Sequence, residues 1–107
     1  MSDRETEILQ AIRQTLAGFA DQLHGHRVIL FGSRAAGTAR ARSDFDVGVD
    51  GADPLPLGTF FAIGDRLEAL PTLYRIDWLD LQRVSETFRH TALAHQLELY
   101  HDPLAVA

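Results

Sequence analysis

The sequence predicts an α+β fold, in which a small mixed β-sheet is flanked by helices. The hydrophobic pattern changes period along the chain and gives the element order α-β-β-α-β-α, which is typical of helices packed around one sheet. The 107 residues have the length of a single domain, which we expect to span positions 1–107. Hydrophobic residues make up 46% of the chain and charged residues 23%, a globular rather than a disordered composition.

The first half of the chain predicts a helix and then a strand. Residues 3–23 form an amphipathic pattern with apolar side chains at helical spacing, namely Ile8, Ile12, Leu16, Phe19 and Leu23. Ser2 or Asp3 can cap this helix, and Glu5 lies three residues after Ser2, as in a capping box. The continuous apolar run 27–31 predicts a strand covered on both faces. The small and basic segment 34–42 predicts a turn of helix followed by a loop.

The second half predicts the remaining elements. Residues 45–50 alternate between apolar and other residues, which indicates a half-buried strand, and a turn follows at 51–54. We expect a helix over 56–70, ended by Pro71, and a third strand over 73–79. A helix over 85–97 would be capped by Ser85, and 97–101 forms either a short strand or a helix end. The helix over 56–70 offers six apolar side chains to the core: Leu57, Phe60, Phe61, Ile63, Leu67 and Leu70.

The composition excludes several classes of enzyme. The chain has ten arginines but no lysine and no cysteine. Schiff-base enzymes, lysyl-nucleotide ligases and P-loop kinases need a lysine, whereas thiolate catalysis, disulfides and Cys-ligated zinc need cysteine. The net charge of −5 disfavours direct binding to nucleic acid or a membrane surface. The apolar runs are too short to span a bilayer and the N-terminus has no signal-peptide core, so we expect a cytoplasmic protein.

The segment 32–50, GSRAAGTARARSDFDVGVD, carries the features most suited to chemistry. Gly32 and Ser33 end a buried strand, where small residues let backbone N–H groups approach an anion. Asp44 and Asp46 are two residues apart at the head of the next strand, so both carboxylates lie on one face. Carboxylates this close repel unless a proton or a cation lies between them, and oxygen ligands favour Mg²⁺.

Arginines complete this segment at positions 34, 40 and 42. Anion-binding donors beside a pair of Mg²⁺-binding carboxylates are what a metal–triphosphate substrate requires. Other motifs fit less well, because an EF-hand would need Gly and Glu where Val49 and Leu55 stand. The glycines match neither the Rossmann nor the Walker pattern, and Ser33 lacks the Gly-x-Ser-x-Gly context of a serine nucleophile. We interpret His24 and His26 as surface residues.

The same segment resembles the minimal nucleotidyltransferases of the DNA polymerase β-like superfamily. Their pattern runs Gly-Ser-Arg-Ala-x-Gly, then Ala-Arg, then Ser-Asp-x-Asp. Ten positions of this chain fit it: Gly32, Ser33, Arg34, Ala35, Gly37, Ala39, Arg40, Ser43, Asp44 and Asp46. Ala36 departs from it, since many members have Arg there, so one phosphate or partner contact is in doubt. The resemblance implies the nucleotidyltransferase fold.

The resemblance also implies a site that uses ATP and two Mg²⁺ ions. Asp44 and Asp46 would bind the metals, together with a third carboxylate on a later strand. Asp77 and Asp80 are the candidates, and we choose Asp77 because it interrupts an apolar run and matches the position in the family. Five residues are expected to bind the nucleotide: Gly32, Ser33, Arg34, Arg40 and Ser43.

The acceptor is also suggested by the resemblance. Minimal nucleotidyltransferases are known as antitoxins that adenylylate a tyrosine of a HEPN-domain ribonuclease toxin. We therefore expect a hetero-oligomer with such a toxin, no direct contact with nucleic acid and no membrane. Two alternatives remain open. The protein could neutralise its partner by binding alone, or it could be a nucleotidyltransferase acting on a small molecule.

Overall fold

The computed structural model describes residues 2–102, which form four helices and four strands. In chain order these are α1 (Asp3–Ala17), β1 (His26–Phe31), α2 (Gly32–Ala36), β2 (Phe45–Gly51), α3 (Leu57–Glu68), β3 (Ile76–Asp80), α4 (Glu86–Ala94) and β4 (Leu97–His101). The sheet order is β3-β2-β1-β4, in which β2 and β3 are parallel and the other neighbours antiparallel. The predicted α+β fold with a mixed sheet is confirmed, and residues 97–101 form a strand.

The first helix is shorter than predicted. It ends at Ala17, with Gly18 as its C-cap, and turns occupy 18–25. Phe19 and Leu23 nevertheless pack against the core, so their apolar spacing reflects burial rather than a continuing helix. The predicted capping box is confirmed, because the Ser2 side chain accepts from the Glu5 N–H and the Glu5 side chain accepts from the Ser2 N–H.

Two apolar clusters cover the two faces of the sheet. One face carries the side chains of Val28, Leu30, Phe45, Val47 and Val49, which pack in a cluster with residues of α1 and α3. Because side chains alternate along a strand, Ile29 and Phe31 point to the opposite face, where they pack with Leu81 and with Ala92 of α4. α4 therefore covers part of the second face.

Strand β2 is buried on both faces beyond its first residues, which corrects the prediction of a half-buried strand. Gly48 is buried, and a Cβ atom there would lie 3.0 Å from the Leu81 side chain. Asp50 is only 3% exposed. The strand remains partly open at Asp46, so the covering by α4 leaves the carboxylate at the head of the strand accessible.

The later elements are also shorter than predicted. Helix α3 covers 57–68 rather than 56–70, and α4 ends at Ala94 rather than at 97, although Ser85 caps it as expected. In α3 only Ile63 and Leu67 are buried, whereas Leu57 and Phe61 are 52% and 61% exposed. Hydrophobicity predicts which residues can be buried, but the position of the sheet decides which are.

The third strand begins at Ile76 rather than at 73, and Leu73 is fully exposed. Because β2 and β3 run parallel, the register places Asp46 of β2 beside Asp77 of β3. None of the helices within residues 2–102 combines the length and the apolar character that a bilayer crossing requires.

Candidate active site

The structure brings two of the three predicted catalytic acids together. Asp46 and Asp77 are register partners on neighbouring parallel strands, so their side chains point to the same face of the sheet. The two carboxyl groups are close enough for Asp77 to raise the pKa of Asp46. Asp44, which immediately precedes β2, is close enough for its charge to act on Asp46. The fold has thus collected the acids at one end of the sheet.

This arrangement disfavours the ionised form of Asp46. Burial raises the pKa of Asp46, and the charges of Asp77 and Asp44 raise it further. Ionised carboxylates this close to one another repel. A divalent cation would offset the same repulsion, and oxygen ligands suit Mg²⁺.

The acids fit a metal ion by their chemistry, but they do not form a closed set of ligands. Within the part of the chain that the structure describes, no three His, Asp or Glu side chains are grouped closely enough to hold a metal ion as they stand. The assignment of these acids as metal ligands therefore remains a prediction. It is supported by the closeness of Asp46 to Asp77 and by the charge of Asp44 nearby.

Gly32 lies against Asp46. Its φ angle of +73° falls in the left-handed region, and a Cβ atom at this position would overlap the Oδ2 atom of Asp46. The same glycine begins α2, whose first turn has no side-chain cap, so its backbone N–H groups are available to an anion. Ser33 follows in that turn and is half-buried. Only glycine allows the backbone this close to the acidic pair.

An open cleft of about 680 Å³ lies between these residues and α4. Its lining is partly polar, with Asp46, Arg75, Asp77 and Thr91. Its apolar lining residues include Phe31, Leu79, Phe88 and Ala92. The ring of Phe88 is 42% exposed and packs edge-on against Phe31, with the ring centroids 6.0 Å apart. The cleft can therefore hold a charged group beside a flat apolar one.

Two residues of the cleft were not singled out from the sequence. Arg75 donates from Nε to Oδ1 of Asp77 at 2.8 Å, and its side chain is 76% exposed. Its place two residues before Asp77 is a signal that could have identified it, because residues at this spacing share a face of an extended chain. The exposed face of Phe88 follows from how α4 packs and has no comparable signal in the sequence.

Arg34, which the sequence predicts to bind the nucleotide, does not line the cleft. Its guanidinium is buried over the ring of Phe45, 4.1 Å from the centroid, and also contacts Tyr74. Phe45 points to the face of the sheet opposite Asp46, because successive residues of a strand alternate. Arg34 also forms an ion pair with Glu5, with Nη1 and Oε2 2.9 Å apart. Its charge is thus used within the protein.

Arg40 and Ser43 close the turn that leads to Asp44. The backbone N–H of Arg40 donates to Oγ of Ser43 at 2.9 Å, and the N–H of Ser43 donates to the carbonyl of Arg40 at 3.0 Å. Arg40 is otherwise exposed. The predicted nucleotide contacts of these two residues remain predictions, and the structure adds that Ser43 shapes the loop.

Asp80, the rejected candidate for the third acid, is not the exposed residue that the sequence suggested. It is 4% exposed, and its carboxylate accepts from the N–H groups of Leu55 and Gln82 at 2.8 and 2.9 Å. Arg83 lies 3.8 Å from it. These contacts give Asp80 a structural role and support Asp77 as the acid of the cleft.

Asp50, on the same face of β2 as Asp46, is a second carboxylate with a structural role. Burial alone would raise the pKa of Asp50, but hydrogen bonds from Arg89 and Gln82 and the charge of Arg89 lower it below its ordinary value. The Arg89 guanidinium contacts both carboxylate oxygens, at 3.2 and 2.9 Å. This pair joins α4 to the sheet, and α4 contributes Phe88, Thr91 and Ala92 to the lining of the cleft.

His24 and His26 lie at the opposite end of β1 from Gly32. His24 is exposed and contacts Asp102 at 3.1 Å. The His26 ring is within 3.0 Å of the carbonyl of His24 and 2.9 Å of that of Asp53. His24 is thus a surface residue, as predicted, whereas His26 is partly buried.

Comparison with known proteins gives a family and a fold. Residues 14–103 match the family model described as Polymerase beta, Nucleotidyltransferase. A solved structure described as a minimal nucleotidyltransferase is 28% identical and has a TM-score of 0.56, with 91% of this chain and 96% of that chain covered. No curated protein matches this chain.

Two solved complexes are similar in fold. A toxin–antitoxin crystal structure with AMP-PNP is 24% identical, has a TM-score of 0.61 and covers 82% of this chain and 72% of that one. A tri-AMPylated Shewanella oneidensis HEPN toxin in complex with an MNT antitoxin is 21% identical, has a TM-score of 0.58 and covers 86% and 71%.

Proposed function

This chain belongs to the polymerase β nucleotidyltransferase family, and on that premise we propose that it transfers AMP from ATP to a hydroxyl group of a HEPN-type ribonuclease toxin and so acts as the antitoxin of the pair. The observation that carries the proposal is the contact between Asp46 and Asp77, which lie in register beside Gly32 at the edge of the cleft.

The acids divide the work in this proposal. Asp44 and Asp46 would hold two Mg²⁺ ions, and Asp77 would ligate the one nearer the acceptor. When bound, these ions lower the pKa of the acceptor hydroxyl and neutralise charge on the triphosphate. Asp77 would also accept the proton of the hydroxyl. Its place in the lining of the cleft, which also contains apolar residues such as Leu79, supports this role.

The transfer is a substitution at the α-phosphorus of ATP. The acceptor oxygen forms a bond to this phosphorus, the bond to the bridging oxygen breaks, and pyrophosphate leaves. Gly32 and Ser33 would hold the triphosphate through backbone N–H groups and the hydroxyl, with Arg40 as a further cation beside the loop. Catalysis then depends mainly on positioning and on neutralising charge, for which a fixed backbone turn is suited.

A protein acceptor is supported by what the related structures contain. One similar fold was solved as an antitoxin complex with a tri-AMPylated HEPN toxin, and another with AMP-PNP. The cleft of this chain is open to one side and has an apolar wall that suits the ring of a tyrosine. We propose that the protein forms a hetero-oligomer with its toxin and works in the cytoplasm, where ATP and Mg²⁺ are available.

The proposal is tested by co-expressing this chain with a HEPN-domain ribonuclease encoded beside it. Intact mass spectrometry of the toxin should show added mass in steps of one AMP, and label from α-labelled ATP should reach the toxin in vitro. The double variant Asp44→Asn with Asp46→Asn should abolish both. Asp53→Asn, an exposed acid near His26, is the matched control and should leave both unchanged.

Three other outcomes would contradict parts of the proposal. A toxin that is inhibited but carries no added mass would identify an antitoxin that acts by binding alone. Transfer to a small molecule in the absence of any toxin would identify the third class of function. Full transfer by the double variant would show that the acids are assigned wrongly.

A further inference from the structure

We propose that Arg34 and Glu5 are positioning residues, which hold the loop in front of Asp44 in its working geometry. The inference rests on the proposed function, because it assigns Asp44 to the site. It goes further in two ways. It gives Arg34 a role that involves no contact with the nucleotide, and it adds Glu5, which belongs to the first helix and to no motif.

Arg34 holds the loop through its backbone. Nε and Nη2 both donate to the carbonyl of Ser43, at 3.0 and 2.6 Å, and Nη2 also reaches the carbonyl of Ala41 at 3.4 Å. The side chain is 3% exposed, so these hydrogen bonds are shielded from water. A planar guanidinium can make several such bonds at once, whereas lysine cannot.

Arg34 contacts the residues immediately before and after Asp44 in the sequence. Ser43, whose carbonyl accepts two of the hydrogen bonds, precedes Asp44, and Phe45, whose ring lies under the guanidinium, follows it. The N–H of Phe45 is further bonded to the carbonyl of Arg75 at 2.9 Å. Arg34 therefore holds the backbone before Asp44 and the side chain of the residue after it, which limits where the Asp44 carboxylate can lie.

Glu5 supplies the counter-charge that a buried guanidinium requires. Its Oε2 pairs with Nη1 of Arg34 at 2.9 Å, while Oε1 accepts from the backbone N–H and the hydroxyl of Ser2 at 3.1 and 3.0 Å. One carboxylate thus closes the capping box of α1 and neutralises Arg34. A buried charge without its partner is costly, so loss of Glu5 should loosen Arg34 and the loop. Positions 5 and 34 are coupled in this way across 29 residues of sequence.

The structure offers variants that separate the two tasks of Glu5. Glu5→Gln keeps a side chain that serves at this position of a capping box but removes the charge opposite Arg34. Ser2→Ala removes the cap and leaves the ion pair, so it is the matched control for damage to the helix. Arg34→Met removes the cation, and Arg34→Lys keeps the charge with fewer donors.

The expected result is a loss of turnover without a loss of nucleotide affinity. At saturating Mg²⁺, Arg34→Met should lower kcat for transfer by about 100-fold and Glu5→Gln by about 10-fold, magnitudes typical of small misplacements of reacting groups. The Kd for AMP-PNP, measured by calorimetry without acceptor, should change by less than about threefold, because Arg34 does not reach the cleft. Arg34→Lys should lie between wild type and Arg34→Met, and Ser2→Ala should keep the wild-type kcat.

Hydrogen exchange gives a readout that does not need activity. Amides of residues 40–46 should exchange faster in Arg34→Met and in Glu5→Gln than in Ser2→Ala. If Arg34→Met raises the Kd for AMP-PNP and leaves kcat unchanged, Arg34 binds the nucleotide as expected from the sequence, and the inference is overturned. Equal exchange and equal kcat in Glu5→Gln and Ser2→Ala would also overturn it. A wild-type protein that transfers no AMP refutes the proposed function instead, and the exchange data still decide this inference.

Discussion

Replacing Gly32 by alanine tests how closely the backbone must approach Asp46. Gly32 and Gly37 both have left-handed backbones, with φ of +73° and +79°. An alanine at either position pays the same conformational cost of about 1–2 kcal/mol. For a domain of this size each kcal/mol lowers the melting temperature by roughly 4–8 °C. Both variants should lose this much stability, and Gly32→Ala should lose more than Gly37→Ala because its Cβ also overlaps Asp46.

The two variants should differ in activity. A Cβ atom at position 37 meets no other atom within 4 Å, whereas at position 32 it overlaps Oδ2 of Asp46. Since non-bonded heavy atoms rest about 3.5 Å apart, the Asp46 carboxylate must move by about 1 Å. A shift of this size in a reacting group typically costs about 100-fold in rate.

The assay is the initial rate of label transfer from α-labelled ATP, divided by the folded fraction measured by circular dichroism. Gly32→Ala should lose about 100-fold of the wild-type rate, and Gly37→Ala should keep it within about threefold. Equal rates for the two variants would refute the reasoning. Either the contact between Gly32 and Asp46 would then be unimportant to the reaction, or Asp46 would not be one of its acids.

Three further predictions separate catalysis from stability. Asp46→Asn should abolish transfer but raise the melting temperature at neutral pH without Mg²⁺. Burial and neighbouring acids raise the pKa of Asp46, so its ionised form destabilises the fold and the neutral amide removes that cost. An unchanged or lower melting temperature in calorimetry would contradict this. Asp77→Asn should stop transfer with little change in the urea midpoint, whereas Asp80→Asn should keep transfer and lose about 1–3 kcal/mol; the reverse would make Asp80 the third acid. Because the pKa of Asp50 is lowered, its ionisation stabilises the fold above the ordinary value of 3.8, and this stability is lost as the pH falls towards the lowered value. Arg89→Met should therefore cost about 2 kcal/mol at pH 7 and weaken that acid dependence, which urea titrations from pH 7 to 3 would measure.

The features that could be predicted from the sequence are those set by neighbouring residues. The capping box of Ser2 and Glu5 depends on a spacing of three, and the strand at 27–31 on a continuous apolar run. The side chains of Phe45 and Asp46 point to opposite faces because a strand alternates. Each of these follows from local geometry that the chain adopts wherever it lies.

The features that could not be predicted depend on contacts between distant segments. Arg34 stands in a motif with two other arginines, and its contacts with Glu5 and Tyr74 come from segments far away in the sequence. Asp80 has the position of an exposed residue at the end of a strand, yet Leu55 returns from 25 residues away to bond with it. Phe61 has the spacing of a core residue but is exposed, because α3 buries Ile63 and Leu67 instead.

The two faces of β2 have different roles. One carries the destabilising acids of the site, and the other carries the contacts that hold the strand in place. On the cleft face, burial and the neighbouring acids raise the pKa of Asp46, so keeping its carboxylate ionised there costs folding free energy. On the opposite face, Phe45 is fully buried and packs under Arg34, whose hydrogen bonds fix the loop. A strand is stiff enough that fixing one face fixes the other. The backbone that carries the acids is therefore held by a side chain that lies outside the cleft.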